Sequence, residues 1–440
     1  MQPTKAGFFQ LTFMIYGAVC GGAFGLEAMI SGSGPGIAIV VLVVMPFLFS
    51  IPISLAVAEL TAAFPVEGGN YRWSRMALGD FWGFQAAWWA WMTGMVTNSS
   101  FAVLFADYLK SWMPQMTEVQ HMGAALILTW AMFALNLFGI DVVGNTSILL
   151  SVLLLLPFIA MTGIGLVGWV HNPVIPFVAP GLGFLPALGA AVVTGIWLYS
   201  GYDKLSSVAE EVENPQRIFP PALLGAATLA MLSYVLPTVA ALAARGNWSE
   251  WKDAYFPELA GQMGGPSLKF LMVFGGLCSN ALLLNVTQLS ASRVPLALAK
   301  DGLLPSWVGA LAPRWGTPVA ALAIGSLVTS VIAWAYPFEQ ILVIYAWFQM
   351  ASNLLVYANV WLMRRRFADV PRPFSVPGGT TGLVLAALPT TVIAAIAIIA
   401  PIWKDGALVH DQLYKGIVAF VSGPILYGLC RPRTPLSTTP

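Results

Sequence analysis

The chain has 440 residues, of which 58% are hydrophobic and only 9% charged. A soluble domain carries about 25% charged residues, so a chain this apolar cannot cover a water-facing surface, and a cytosolic enzyme is excluded. The 20 Lys and Arg nearly cancel the 19 Asp and Glu, and no basic surface points to nucleic acid.

Apolar runs bounded by polar or Pro/Gly clusters predict an all-α membrane protein of twelve spans. In chain order they fall near 8–30, 36–63, 81–109, 123–139, 146–169, 186–213, 218–243, 268–298, 318–336, 338–363, 381–400 and 413–430. Each is close to the ~20 residues that cross a bilayer, which makes the lipid bilayer the chain's solvent. Little length remains for a separate soluble domain. Amphipathic pieces at 70–80 and 299–312 read as short linking helices. The N-terminus lacks a small-residue cleavage site and reads as retained. An even span count puts both termini on one side. Thirteen of the 20 basic residues fall in loops on that side, among them Lys5, Arg72, Arg75, Arg217 and Arg364–Arg366, against six on the other. The positive-inside rule therefore places both termini in the cytoplasm of a cell (plasma or inner) membrane protein.

Two spans are interrupted. Span one contains Gly17-Ala-Val-Cys-Gly-Gly-Ala-Phe-Gly25, four glycines in nine residues. Span six contains Trp197-Leu-Tyr-Ser-Gly-Tyr-Asp-Lys-Leu205, polar at mid-membrane depth. Glycine costs about 1 kcal/mol in a helix interior, and non-helical backbone is tolerated in a bilayer only where it is buried in protein or lines a watery cavity. Broken helices at corresponding positions of two halves point to a transporter site. Spans one and six are five apart, as a 5+5 inverted repeat requires. The repeats would be 8–169 and 186–363, with 381–430 supplying the last two helices of a single domain.

Cys20, Cys278 and Cys430 read as packed thiols without a disulfide framework. His121, His171 and His410 fall in predicted loops, which removes the usual base and metal ligand from the membrane interior. No GxSxG motif occurs. No catalytic residue, metal or cofactor is expected.

Several strings resemble the amino acid–polyamine–organocation superfamily. Ala58-Glu59-Leu60, running on to Glu67-Gly68-Gly69-Asn70-Tyr71, is similar to its first cytoplasmic loop. Glu210-Glu211-Val212-Glu213-Asn214-Pro215-Gln216-Arg217 resembles its acidic Asn-Pro-x-Arg segment. Lys-Asp-Gly-Leu-Leu-Pro at 300–305 and Gly316-Thr317-Pro318 match the loop between spans eight and nine. Within the superfamily, Gly21-Gly22-Ala23-Phe24-Gly25-Leu26-Glu27 and Phe81-Trp82-Gly83-Phe84-Gln85 look like plant polyamine-uptake permeases and their bacterial relatives. The resemblance implies a leucine-transporter-like fold with discontinuous helices 1 and 6. It also implies a substrate site between spans one, three, six, eight and ten, and coupling to protons. At Thr97 and Thr287 the plant permeases tend to carry acidic residues, and at Lys204 a small polar one, which leaves fewer carboxylates here for a multiply charged polyamine.

Ionisable residues within spans are functional candidates by default. Glu27 opens the outer half of span one, where a carboxylate caps the helix and can also meet a substrate amine. Asp203 can pair with a cationic substrate, take up a proton, or form a static ion pair. Lys204 reads as a buried ion-pair partner or as a proton-coupling lysine. The backbone at Gly21, Gly22 and Ala23 and the rings of Trp197, Tyr199 and Tyr202 complete the expected site. Trp88, Trp89 and Trp91 cluster in span three where a gate would need aromatics, and most of these Trp read as packing or interface anchors. By the superfamily pattern Trp197 resembles an occluding tryptophan and Asn98 a span-three site residue. Asn280 and Asn285, with Gln349 and Asn353, are further candidates. Glu59, Glu210, Glu211 and Arg217 resemble gate and loop anchors. The expectation is a proton-coupled carrier of a small amine, polyamine or cationic amino acid. The alternatives are a neutral amino acid carrier, with Gly21–Gly22 holding the carboxylate, and a passive channel.

Overall fold

Twelve helical passes follow one another in the computed structural model, which describes residues 5–66, 68–252, 254–336, 338–404, 407–408 and 410–430. Glu67, Arg431 and Arg433 lie outside the described residues. Spans one to five are Phe8–Val19 with Glu27–Ser33, Pro35–Ala63, Asp80–Trp112, Glu118–Asn136 and Ile140–Val167. Span six is Phe184–Leu198 followed by a 3-10 segment, Lys204–Glu211. Pro215–Arg245, Phe256–Lys300, Val319–Ala335, Phe338–Arg366, Gly379–Ile402 and His410–Cys430 complete the set. The only strands among the described residues are Trp403–Lys404 and Ala407–Leu408, a two-residue ladder.

Among the described residues, six helices are long and apolar enough to cross a membrane on length and hydropathy alone. Three of the others fall short for physical reasons. Spans one and six are broken into pieces. Span three has 33 residues but carries Thr93, Thr97, Asn98, Ser99 and Ser100 in succession, all buried. Those polar side chains face protein instead of lipid, so the helix needs no apolar average. Spans three and eight pack against each other along much of their length and form the centre of the bundle.

Some predicted boundaries move. A short helix from Phe256 precedes span eight; Gly265, at φ 72° and ψ −169°, is non-helical and separates the two at the Gly264-Gly265-Pro266 string, so span eight proper starts just after it, close to the expected 268. The linking helix after span two is present as Asn70–Leu78. The one expected at 299–312 reduces to the 3-10 turn Ser306–Gly309, since span eight itself runs to Lys300 before Gly302 and Pro305 stop it. His121 is not in a loop. It lies in the first turns of Glu118–Asn136, with Nε2 2.8 Å from Asp107, and His410 likewise opens a helix.

The terminus-side face is held by hydrogen bonds and ion pairs. Ala6 bridges Val212, with its N–H donating to Glu211 and its carbonyl accepting from Glu213, both at 3.0 Å. Glu59, 2% exposed, takes a bidentate pair from Arg364 at 2.7 and 2.6 Å and the Val376 N–H at 2.7 Å. It therefore ties span two to span ten and to the loop before span eleven.

Candidate functional site

The helices of spans one and six stop at Val19 and Leu198 and resume at Glu27 and Lys204. Each stop leaves main-chain carbonyls without helical partners. Tyr234 of span seven answers both, with its hydroxyl 2.7 Å from the Leu198 carbonyl and 3.3 Å from that of Val19. The Ser279 hydroxyl of span eight donates to the Gly21 carbonyl. The two broken stretches touch at Gly201. Its φ is +116°, and a Cβ there would come within 2.6 Å of the Ala18 carbonyl oxygen. Only glycine permits this contact.

Two cavities lie along the breaks. The upper one is walled by Phe24, Phe101, Trp197, Tyr234 and Tyr345, with Gly21, Ser200 and Leu283 between them. Among the described residues no carboxylate lines it, and the one charged side chain there is Lys204. The Thr97 hydroxyl also lines this cavity, 2% exposed and with no hydrogen-bond partner among the described residues. The lower cavity lies toward the terminus side. Its lining includes the polar residues Asn70, Thr93, Asp203, Thr287, Ser290 and Gln349, and again Lys204. The Gln349 amide donates to Asp203 at 3.3 Å and to Asn353 at 2.9 Å. Among the described residues Lys204 is the one common to both linings. Its main-chain carbonyl accepts from the Ser290 hydroxyl at 2.6 Å, and its ammonium lies 5.8 Å from the centre of the Tyr345 ring.

Away from the termini the upper cavity is closed by rings. Trp197 packs on Phe101 at 6.3 Å between centroids and against Gly25, where a Cβ would approach the indole to 2.8 Å. Phe24 stands next in the layer, edge-on to Tyr108 at 4.9 Å and tilted on Phe158 at 4.6 Å. Toward the termini the lower cavity meets charged groups. Arg293, 1% exposed, forks onto Glu211 at 2.9 and 3.2 Å. Asp301 takes Arg72 and Arg75 at 2.9 and 2.7 Å and the Tyr71 hydroxyl. Burial, and then the carboxylate beside it, push the Tyr71 phenol well above its ordinary range, so Tyr71 stays a donor.

The predicted residues are distributed unevenly over this geometry. Gly21, Trp197, Asp203 and Lys204 line the cavities. Glu27 does not: its carboxylate accepts the Gly25 N–H and the Tyr108 hydroxyl, each at 2.7 Å, within the aromatic layer. Gly22 and Ala23 belong to the same unwound stretch but are not among the lining residues. Tyr199 donates to the Leu42 carbonyl at 2.7 Å and stacks edge-on with Tyr234, and Tyr202 is buried behind the break. Asn98 accepts from Thr287 and faces a small side cavity between spans three, eight and nine. Asn280 donates within its own helix to Gly276, and Asn285 pairs with Asn136 at 2.7 Å. Trp88 and Trp89 pack toward span twelve, on Ser422 and Phe420, and Trp91 faces the side cavity. Arg217 is exposed and makes no ion pair among the described residues; the guanidinium on the Glu211 carboxylate is Arg293.

Phe101, Tyr234, Leu283 and Tyr345 escaped sequence reasoning. A signal existed: Ala90, Thr93, Gly94, Thr97 and Phe101 recur at three- and four-residue steps, as do Leu283, Thr287, Ser290, Ala291 and Val294. Each set is one face of a helix.

Two broken helices that cross at a cavity inside a helical bundle define a membrane transporter of leucine-transporter-like fold. A solved structure titled as MhsT in complex with L-phenylalanine superposes with a TM-score of 0.67 over 91% of this chain and 99% of that one, at 14% identity. The amino acid permease family model matches residues 7–424, and the chain belongs to that family. It is 34% identical over 421 residues to the polyamine transporter PUT1 of Oryza sativa subsp. japonica, covering 93% of this chain and 76% of that protein. It is 31% identical over 404 residues to the polyamine transporter RMV1 of Arabidopsis thaliana, covering 90% and 80%. To the vacuolar cationic amino acid transporter 8 of Arabidopsis thaliana it is 25% identical, covering 96% and 71%.

Proposed function

We propose that the protein is a secondary active transporter of a small organic amine, a polyamine or a cationic amino acid, working by alternating access with protons as the coupling ion. The observation that carries this reading is Asp203. Among the described residues it is the one carboxylate lining either cavity, and it sits where span six unwinds. A carboxylate so placed exchanges an ammonium for a proton and keeps the charge of the passage balanced across the cycle. Amine-transporting relatives support the substrate class. The inverted repeats, 8–169 and 186–363, then move against each other about spans one and six. Glu27 is read as fixing the outer half of span one, and Lys204 as a partner in charge compensation. The assigned home is the plasma or inner membrane with both termini cytoplasmic; residues 1 and 440, where tags would report it, lie outside the described residues.

A neutral amino acid carrier is the second reading. Lys204 favours it, being the one charged side chain among the described residues lining the upper cavity and a suitable partner for a substrate carboxylate. Uptake into proteoliposomes decides between them. Saturable, counterflow-competent amine uptake, accelerated by an inward proton gradient and indifferent to sodium, is the expected result. A strict sodium requirement overturns the coupling. Linear, non-saturating flux overturns the carrier mechanism in favour of a channel.

A further inference from the structure

The three arginines that end span ten are used differently. Arg364 turns inward onto Glu59. Arg365 is exposed, with its guanidinium 3.9 Å from the centre of the Trp361 ring, and Arg366 after it is exposed as well. Neither Arg365 nor Arg366 has a carboxylate partner among the described residues, although Asp369 follows three residues on. Span ten also has one half-exposed face, whose residues change in order along the helix. Ala351, Leu354 and Ala358 come first, then Trp361, then Arg365, at three- and four-residue steps. Other residues of the same stretch turn into the protein: Ser352 and Asn359 are buried and bond Asn70. From Leu354 to Arg365 is about 16 Å at 1.5 Å per residue, the depth of one leaflet of a hydrocarbon core ~30 Å thick. Trp361 is 39% exposed, and tryptophan concentrates at headgroup level. The face thus offers apolar surface at acyl depth, an indole at the interface and two exposed guanidiniums just outside it.

We propose that this face binds an anionic phospholipid of the terminus-side leaflet, with its phosphate on Arg365 and Arg366 and an acyl chain along Ala358 and Leu354. A guanidinium takes two phosphate oxygens at once, and the Trp361 ring holds that of Arg365 in place. A zwitterionic lipid offers the same phosphate but brings its own cation, so net charge decides between the two. The surface is separate from the passage and does not depend on which substrate is carried. It does lie one residue from Arg364, so a bound lipid holds the last turn of span ten where Arg364 reaches Glu59.

The test is native mass spectrometry of the purified full-length protein titrated with palmitoyl-oleoyl phosphatidylglycerol or the matching phosphatidylcholine. Wild type should hold one phosphatidylglycerol at least about tenfold more tightly than phosphatidylcholine. Arg365→Ala should weaken phosphatidylglycerol about fivefold, and Arg365→Ala with Arg366→Ala about tenfold or more, with phosphatidylcholine unchanged. Arg365→Lys with Arg366→Lys, which keeps both charges, should keep the preference. Arg314→Ala is the control: Arg314 also lies on an exposed tryptophan, Trp315, at 4.9 Å, but in a turn without a neighbouring arginine. It should leave phosphatidylglycerol binding unchanged. The wild-type comparison of the two lipids needs no variant, and Arg365→Gln serves if Arg365→Ala does not fold. Equal affinity for the two lipids overturns the proposal. So does an equal loss in Arg314→Ala and Arg365→Ala, which would mean that the whole face attracts anionic lipid without a site. Displacement of the lipid by millimolar glycerol 3-phosphate overturns it in favour of a site for soluble phosphates.

Discussion

The two ends of the passage are closed by different chemistry. Away from the termini the closure is a layer of rings, Trp197 on Phe101 and Phe24 on Tyr108 and Phe158, with the Glu27 carboxylate as its one ionisable anchor. On the terminus side it is built from directed charge pairs: Glu59 with Arg364, Glu211 with Arg293, and Asp301 with Arg72, Arg75 and Tyr71. The apolar burial that holds such a layer is non-directional and tolerates sliding. A bidentate ion pair is either made or broken. The aromatic end is thus suited to fitting around different tails, and the ionic end to switching between two discrete states.

Four substitutions break or sharpen this contrast. The largest effect is expected at Glu59→Gln, which leaves Arg364 facing a buried site without its carboxylate. Breaking one partner of a buried pair costs about 3–5 kcal/mol. Thermal unfolding should show a large loss, and adding Arg364→Gln should recover part of it. No recovery would mean that Glu59 acts through Val376 and not through the pair.

Trp197→Ala should be nearly as costly, about 3–5 kcal/mol for emptying a large ring site, and should also let accumulated substrate leak outward. Trp197→Phe should hold the gradient. A leak of equal size in both variants would remove Trp197 from the closure.

Arg293→Gln is expected to cost about 1.5–3 kcal/mol, the range for hydrogen bonds to charged groups. It should raise the reactivity of a cysteine placed at Ser290 toward reagents added from the terminus side. Unchanged labelling would show that Glu211–Arg293 only supports the fold. The smallest change belongs to Arg72→Ala. That side chain is 30% exposed and shares Asp301 with Arg75, so no more than about 1 kcal/mol is at stake. A larger loss in thermal unfolding would mark Arg72 as part of the switch.

Much of this molecule was readable from the chain alone, because the bilayer imposes a strong rule on sequence. Twelve apolar stretches, the breaks at 17–25 and 197–205, and the singular positions of Asp203 and Lys204 all follow from the cost of polar groups in hydrocarbon. That cost is paid residue by residue, so it leaves a local mark. Which polar groups face the substrate was decided only in three dimensions. Glu27 and Asp203 look alike in sequence, yet one is held by Gly25 and Tyr108 and the other lines a cavity. Tyr234 gives no local hint that its hydroxyl lies beside the carbonyls of two broken helices more than 170 residues apart (positions 19 and 198). Arg293, not Arg217, meets Glu211 because the end of span eight passes beside the 3-10 segment of span six. Partner choice between distant helices depends on their rotation and crossing. Those are set by how small residues such as Gly201 let backbones approach, and no local pattern encodes them.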